Sequence, residues 1–427
     1  MAPLVLALVA AGLLFIGVPV GISLGLGMVA VALGFGTTNL TFLAQGMYSG
    51  FESLPLTAIP CFMLAGAVME TGGLSKRLVN VADKAFGHNI GGLGTVTVVA
   101  CLFFGAISGS GPATVVAIGG IMIPYMVKAK YDRTYATGLS AVAGGLGVIM
   151  PPSIPLVVYG VATNTSIGDL FLAGIVPAFI VAFFLIVVNV FLSKKAGYLG
   201  NGTPFSFKEL FKATWDAKWA LLMPIIILGG IYGGIFTPTE AAVVATVYGI
   251  IIGLFVYKEL SLKACWKMLV DNTSFVGGIM LTFAPAAAMG AVLSLLGVPQ
   301  SITAFLFGIS SNKIIILLIV NIFLLFVGMV MDTTSANIIF SPILLAALLP
   351  YGVDPVHFGL LMTVNLAIGF VTPPVAANLF VASGMTGIPL DKIVRKAWPF
   401  IAAMFVALMV LTYIPATSIG LLKLMGK

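Results

Sequence analysis

Polar residues able to do chemistry concentrate in two short clusters of this sequence. One is "SGSGPAT" at 108–114, with Ser108, Ser110 and Thr114; the other is "MDTTSAN" at 331–337, with Asp332, Thr333, Thr334 and Asn337. Each interrupts a long apolar block. Two more apolar stretches carry a double proline: "GGLGVIMPPSIPLVVYG" at 144–160 and "GFVTPPVAANLFVA" at 369–382. Proline removes a backbone donor and clashes with the preceding turn. A helix broken there exposes carbonyls at one half-helix end and N–H groups at the other. The carbonyls suit a hard cation such as Na⁺, and the N–H groups suit an anion.

Gly147, Met150 and Pro152 can offer carbonyls beside the hydroxyls of Ser108 and Ser110. In the same way Gly369, Thr372 and Pro374 can face Asp332, Thr333 and Thr334. Oxygen-only ligands favour an alkali cation over a transition metal; the expectation is Na⁺ at two sites at least, and no organic cofactor. An acid inside an apolar block is costly and by default a functional candidate. Asp332 therefore reads either as a sodium ligand or as a cap bonding nearby amides, and Ser108 and Ser110 as ligands or tip caps. Thr114, Ser153, Thr334, Asn337 and Asn378 are the candidates for holding a small organic anion. Asn337 and Asn365 have a second reading, as helix–helix hydrogen bonds.

Other chemistries lack their residues. Cys61, Cys101 and Cys265 form no paired pattern, and His88 and His357 are isolated. No metalloprotease, phosphate-loop or nucleophile-elbow pattern has supporting context, so no enzyme is expected. The net charge of +7 resides in short loops between apolar runs and does not imply nucleic acid.

The elements that must position these clusters are membrane helices. Of 427 residues, 60% are hydrophobic and only 8% charged, against roughly 25% charged in soluble domains. Spans are expected near 3–17, 20–36, 52–72, 134–162, 169–193, 219–236, 239–257, 275–296, 357–385 and 398–420. Residues 2–17 read as a first transmembrane helix rather than a signal peptide. Blocks 90–127 and 313–350, split by the polar clusters, read as re-entrant helical hairpins whose tips lie among protein or in a cavity. Segments 74–88 and 298–311 read as interfacial connectors. Glu240 in "FTPTEAA" reads as a helix start, with Thr237 or Thr239 near the cap.

A shift of 222 residues lays Gly147 on Gly369 and Pro151–Pro152 on Pro373–Pro374. The chain therefore divides into a first repeat (1–193), a cytoplasmic connection (194–218) without assigned chemistry, and a second repeat (219–427). Five crossings per half make the second half inverted. Paired interrupted segments in inverted halves point to a transporter's binding site. With both ends of 90–127 cytoplasmic and both ends of 313–350 outside, 17 of the 20 Lys and Arg are cytoplasmic, as the positive-inside rule asks. Lys313, Lys423 and Lys427 remain outside, and both termini are periplasmic. No arginine waits at mid-membrane to pair with a carboxylate.

The sequence resembles the large membrane subunit of tripartite ATP-independent periplasmic (TRAP) transporters. The resemblance rests on "PVG" at 19–21, "IPCFMLAGAVMETGG" at 59–73, "GAISGSGPATVVAIG" at 105–119, "MPPSIPLVVYG" at 150–160, "GGIFTPTEAAVVA" at 233–245 and "GFVTPPVAANLFVA". Overall it is most similar to the sialic-acid members. The resemblance implies an all-α, elevator-type secondary importer of the bacterial inner membrane, driven by sodium. It implies a periplasmic substrate-binding protein that delivers an organic acid, and a small four-helix membrane subunit, here expected as a separate chain. By motif position the family's sodium ligands fall on Ser108, Ser110, Gly147, Met150 and Pro152, and at a second site on Asp332, Gly369, Thr372 and Pro374. Competing expectations are a TRAP subunit for a C4-dicarboxylate or another sugar acid, and a stand-alone sodium-coupled dicarboxylate transporter with the related hairpin fold.

Overall fold

The computed structural model describes residues 1–36, 38–52 and 54–426, without the side chains of 54, 55 and 275. Lys427, counted above among the outside charges, lies outside the described residues. Every regular element is helical among them. Eight helices are long and apolar enough to cross a membrane, ten if each of two bent pairs is one span. Helices suit this sequence because each backbone group finds its partner within its own segment, which lipid demands.

The two polar clusters lie at turns between paired helices. Gly92–Ser108 is followed by Gly111–Lys128, with Gly109 at φ +60° and Ser110 extended between them. Lys313–Val330 is followed by Thr333–Leu348, with Met331 and Asp332 extended. The proline segments are broken helices. The first stops at Ile149 and resumes at Ile154; the second stops at Gly369 and resumes at Ala377. Both Pro–Pro bonds are cis. The first broken helix is buried over its best apolar window, and Pro355–Gly369 is buried from His357 onward. The first broken helix and Pro355–Gly369 lie at the centre of the molecule, whereas Ala377–Thr386 is only partly buried.

The second arm of each broken helix packs on the opposite hairpin. Ile154–Thr163 lies against Thr333–Leu348, and Ala377–Thr386 lies against residues 111–119. Asn189 and Asn365 work as helix-to-helix connectors. Tyr135 donates to Asn189 Oδ1 at 2.9 Å, and Asn365 Nδ2 donates to Asn321 Oδ1 at 2.9 Å. Asn321 in turn donates to Thr412 Oγ1 at 2.8 Å, so the structural reading of Asn365 holds.

Several boundaries differ from expectation. Leu40–Phe51 is a helix outside the expected spans, because its Thr, Gln, Gly and Ser residues dilute the apolar signal. Asn39 caps it by accepting the Phe42 N–H at 2.7 Å. Gly46 and Gly50 then let it lie on Ala288 and Ala287 of a neighbour, the small-residue packing that membrane helices favour. That neighbour, Leu262–Leu295, has 34 residues and begins 13 residues before the expected 275. At 1.5 Å per residue it is about 50 Å long, so its polar first turns extend beyond the hydrocarbon. The last expected span, 398–420, is Leu390–Tyr413 followed by a separate Ala416–Leu424. The connectors are helices, Leu74–Phe86 and Val298–Ile309, and 194–218 contains the helix Phe207–Asp216. Thr237 and Glu240 form a reciprocal capping box on Pro238–Ile251.

Charge gathers on the connector Leu74–Phe86. Its Lys76, Arg77 and Lys84 form ion pairs with Glu259, Asp216 and Glu209. Arg77 donates to Glu259 Oε1 at 2.8 Å and to the Gly73 carbonyl at 2.8 Å, and its guanidinium stands 3.6 Å over the Tyr257 ring. The hydrogen bond from Arg77 holds the Glu259 carboxyl below the usual glutamate range.

Close backbone approach fixes the hairpins on the broken helices. A Cβ at Gly369 would stand 2.5 Å from Gly328 Cα and overlap its carbonyl. Gly369→Ala is expected to lower unfolding stability by about 1–3 kcal/mol through overpacking. Gly229→Ala, at a helical glycine with nothing within 4 Å, is the control. Thermal unfolding in detergent should separate the two, and equal transitions would remove the backbone contact from the account.

Candidate functional site

The first break owes its chemistry to lost helical donors. The Gly147 carbonyl would accept from the residue four ahead, but that residue is Pro151, which has no N–H. The Met150 carbonyl would accept from Ile154, whose N–H goes instead to the Gly109 carbonyl of the hairpin tip at 3.2 Å. The Pro152 carbonyl would accept from Leu156, whose N–H turns to Ser153 Oγ at 3.5 Å. Val148 meets the same difficulty at Pro152 and is rescued, because the Ser153 hydroxyl donates to its carbonyl. Ser153 is therefore the cap of the second arm and is buried. The three carbonyls expected to bind a cation are among those the break deprives of their helical donors; that of Pro151 is another, since the residue four ahead of it is Pro155.

The hairpin tip closes over that break. A Cβ on Gly105 would stand 2.9 Å from Gly147 Cα, and one on Gly147 would stand 2.6 Å from the Ser110 carbonyl and overlap Thr114 Oγ1. Thr114 donates to the Ser110 carbonyl at 2.7 Å and lies 3.1 Å from Ser108 Oγ. A Cβ on Gly109 would stand 2.9 Å from the Pro152 carbonyl. Ser108, Ser110, Thr114, Gly147, Pro152 and Ser153 thus form one tight cluster, with Met150 on the extended link between them. Thr114 is buried inside it and braces the tip.

The second pair has the same plan and a different closure. Val375 donates to the Met329 carbonyl at 3.0 Å, as Ile154 does to Gly109, and Gly328 sits on Gly369 as Gly105 sits on Gly147. Here, however, the Gly369 carbonyl already accepts the Thr372 N–H at 3.1 Å, and the Thr372 hydroxyl returns to Ile368 at 2.8 Å. Pro374 is exposed. Asp332 acts as the cap of Thr333–Leu348. Its Oδ1 accepts the N–H groups of Thr334 at 2.9 Å and Ser335 at 3.0 Å. Thr333 is buried in the first turn, and Asn337 donates back to its carbonyl at 2.8 Å. All the hydrogen bonds of Asp332, Thr334 and Asn337 thus stay within their own arm.

Asn378 behaves differently from those three. Its Nδ2 donates to the Ala141 carbonyl at 3.2 Å, and a Cβ on Gly111 would stand 3.0 Å from its Oδ1. It therefore belongs with the first hairpin, tying the second broken helix to the first half. Its Oδ1 and that of Asn337 are buried without a partner among the described residues.

A cavity of about 270 Å³ opens beside the first tip, where Ser108, Ser110 and Ala113 meet Gly66 and Glu70 on one side and Asp271 and Asn272 on the other. The sequence reading missed Glu70 and Asp271. The rule that singled out Asp332 applies equally to Glu70, an acid within the apolar run ending at Thr71. Asp271 escaped because the helix carrying it was expected to start at 275. No cluster of three or more His, Cys, Asp or Glu able to hold a metal occurs among the described residues.

Residues 7–417 match the family described as "Tripartite ATP-independent periplasmic transporter, DctM component". The chain is a TRAP transporter large permease. It is thus a multi-pass transport protein of a tripartite system, and not an enzyme. The C4-dicarboxylate TRAP transporter large permease protein DctM of Pseudomonas aeruginosa is 41% identical over 95% of this chain and 94% of its own length. The sialic acid TRAP transporter large permease protein SiaM of Vibrio cholerae is 37% identical over 97% of this chain and 96% of its own. The isethionate TRAP transporter permease protein DctMQ of Oleidesulfovibrio alaskensis is 45% identical over 94% of this chain, which spans 64% of that relative. The solved YdaH transporter of Alcanivorax borkumensis shares the fold, with a TM-score of 0.66 at 14% identity over 87% of this permease and 88% of that chain.

Removing the Asp332 carboxylate leaves two amides of the first turn without their acceptor. Asp332→Ala is expected to lower stability by about 1 kcal/mol, while Asp332→Ser keeps most of it. Unfolding midpoints of the two purified variants provide the check, and equal losses would mean that capping is not what Asp332 contributes.

Proposed function

We propose that this permease imports a small organic anion together with sodium. The observation that carries the reading is the first break, where the carbonyls of Gly147, Met150 and Pro152 lack their helical donors beside the hydroxyls of Ser108 and Ser110. A hard monovalent cation satisfies such oxygens without needing a charged ligand. Asp332, with Thr333, Gly369, Thr372 and Pro374, forms the second sodium site in this reading. Capping engages only Oδ1 of that carboxylate.

The anion is held by the half-helix N-termini and by the hydroxyls and amides of Thr114, Ser153, Thr334, Asn337 and Asn378. The relatives named for C4-dicarboxylates, sialic acid and isethionate support an anionic substrate as the common denominator. Sialic acid is the first acid to assay, with the other two beside it. The matching hairpins and broken helices support two inverted halves in the bacterial inner membrane, with both termini periplasmic. They also support an elevator motion, in which the hairpins and broken helices move as a body against the surrounding spans. A periplasmic binding protein and a small membrane subunit complete the system.

The test is uptake into liposomes containing the permease and both partners, with and without a sodium gradient. Uptake is expected to saturate with one of the three acids and to stop without sodium. Ser110→Ala is expected to raise the half-saturating sodium concentration about tenfold, a loss of about 1.4 kcal/mol. Asp332→Ala is expected to lower sodium-driven uptake while the protein remains in the membrane. Unchanged sodium dependence in both variants would defeat the coupling, and transport by this chain alone would defeat the tripartite requirement.

A further inference from the structure

The helix Phe207–Asp216 has no part in the site, and its surface is divided with unusual regularity. Phe207, Phe211 and Trp215 recur every four residues and so form one stripe. They are 73%, 63% and 63% exposed. The rings of Phe211 and Trp215 stack, with centroids 6.4 Å apart. The opposite face carries buried Ala213 and packs on the connector Leu74–Phe86. Both acids are engaged there, Glu209 with Lys84 at 3.5 Å and Asp216 with Arg77 at 3.6 Å.

The lysines are not so engaged. Lys208 and Lys212 flank the aromatic stripe, are exposed, and take no ion pair among the described residues. Lys218 Nζ stands 3.9 Å over the Trp215 ring. The helix leads directly into the apolar Lys218–Tyr232 and bends from it by 63°. A helix that turns this sharply off a membrane span runs along the membrane boundary rather than through it. Aromatic rings with an apolar body favour that boundary, and ammonium groups beside them meet the lipid headgroups.

We propose that Phe207–Asp216 is an interfacial anchor that binds anionic phospholipid. Phe207, Phe211 and Trp215 enter the acyl–headgroup boundary, and Lys208 and Lys212 hold phosphate-bearing headgroups. Pairing of Glu209 with Lys84 and of Asp216 with Arg77 leaves Lys208 and Lys212 as the helix's unpaired charges among the described residues, which is the complementarity an anionic lipid surface requires. The same helix couples the membrane surface to the connector that leads into the first hairpin.

Trp215 provides the reporter. The full chain is reconstituted in bilayers containing phosphatidylglycerol or phosphatidylcholine brominated on the acyl chains, and the quenching lost on Trp215→Phe is assigned to Trp215. Quenching by both lipids is expected, with half-quenching at about fivefold lower mole fraction for brominated phosphatidylglycerol. The Lys208→Gln/Lys212→Gln variant, altered only at exposed side chains, is expected to bring that ratio to about one. Absence of Trp215 quenching would overturn the anchor, meaning water or a protein partner covers this face. Equal quenching in the unaltered chain, or a preference that survives the double variant, would overturn the anionic-lipid assignment.

Discussion

The fold turns on where the backbone carbonyls of a broken membrane helix find partners. In lipid an unsatisfied carbonyl costs several kcal/mol, so a double proline inside a span has to be compensated locally. At Pro151–Pro152 the compensation comes from two directions. Ser153 rescues Val148 from within the break, and the first hairpin supplies an acceptor for the freed Ile154 N–H. Gly147, Met150, Pro151 and Pro152 remain without helical donors. The break and the hairpin are therefore one structural unit.

Glycine makes that unit possible. The contacts of Gly105 with Gly147 and of Gly328 with Gly369 bring backbone against backbone, so that a hairpin can reach the polar atoms of a broken helix. Side chains at these four positions would hold the elements apart and leave the freed groups unserved. The same logic operates at the periphery, where Gly46 and Gly50 seat a weakly apolar helix on Ala288 and Ala287. Small residues thus decide which polar elements are admitted to the interior.

Much of this was legible in the sequence because proline and glycine act locally. The two tips, both interruptions and the capping box at Thr237 are each determined by a few adjacent residues. What the sequence hid is set by contacts between distant elements. Asn378 reads as one more amide near the second break, yet it bonds across to Ala141 beside the first hairpin. Glu70 and Asp271 lie 201 positions apart and meet only around the first tip's cavity. Leu40–Phe51 has too little apolar content to announce itself, and its place depends on glycine contacts that no local pattern encodes. Phe207–Asp216 has a readable aromatic stripe, but the pairing of its acids with the connector is a tertiary fact.

The two breaks share a plan without being equivalent. In the second, Thr372 folds back to serve both the Gly369 and Ile368 carbonyls, and Asn378 donates its N–H to Phe370. That break largely satisfies itself, whereas the first leaves several carbonyls without helical donors beside a serine-lined tip. The second compensates with a full negative charge, Asp332, which the first tip lacks at the corresponding Ser110. In the sodium-coupled reading proposed above, one site attracts a cation through several neutral dipoles, and the other through a carboxylate with few free carbonyls. A neutral cage discriminates by the number and spacing of its oxygens, whereas a carboxylate attracts cations over a longer range and with less regard to size. The division follows from two differences in sequence, Asp332 where the first tip has Ser110 and Thr372 where the first proline pair is preceded by Met150.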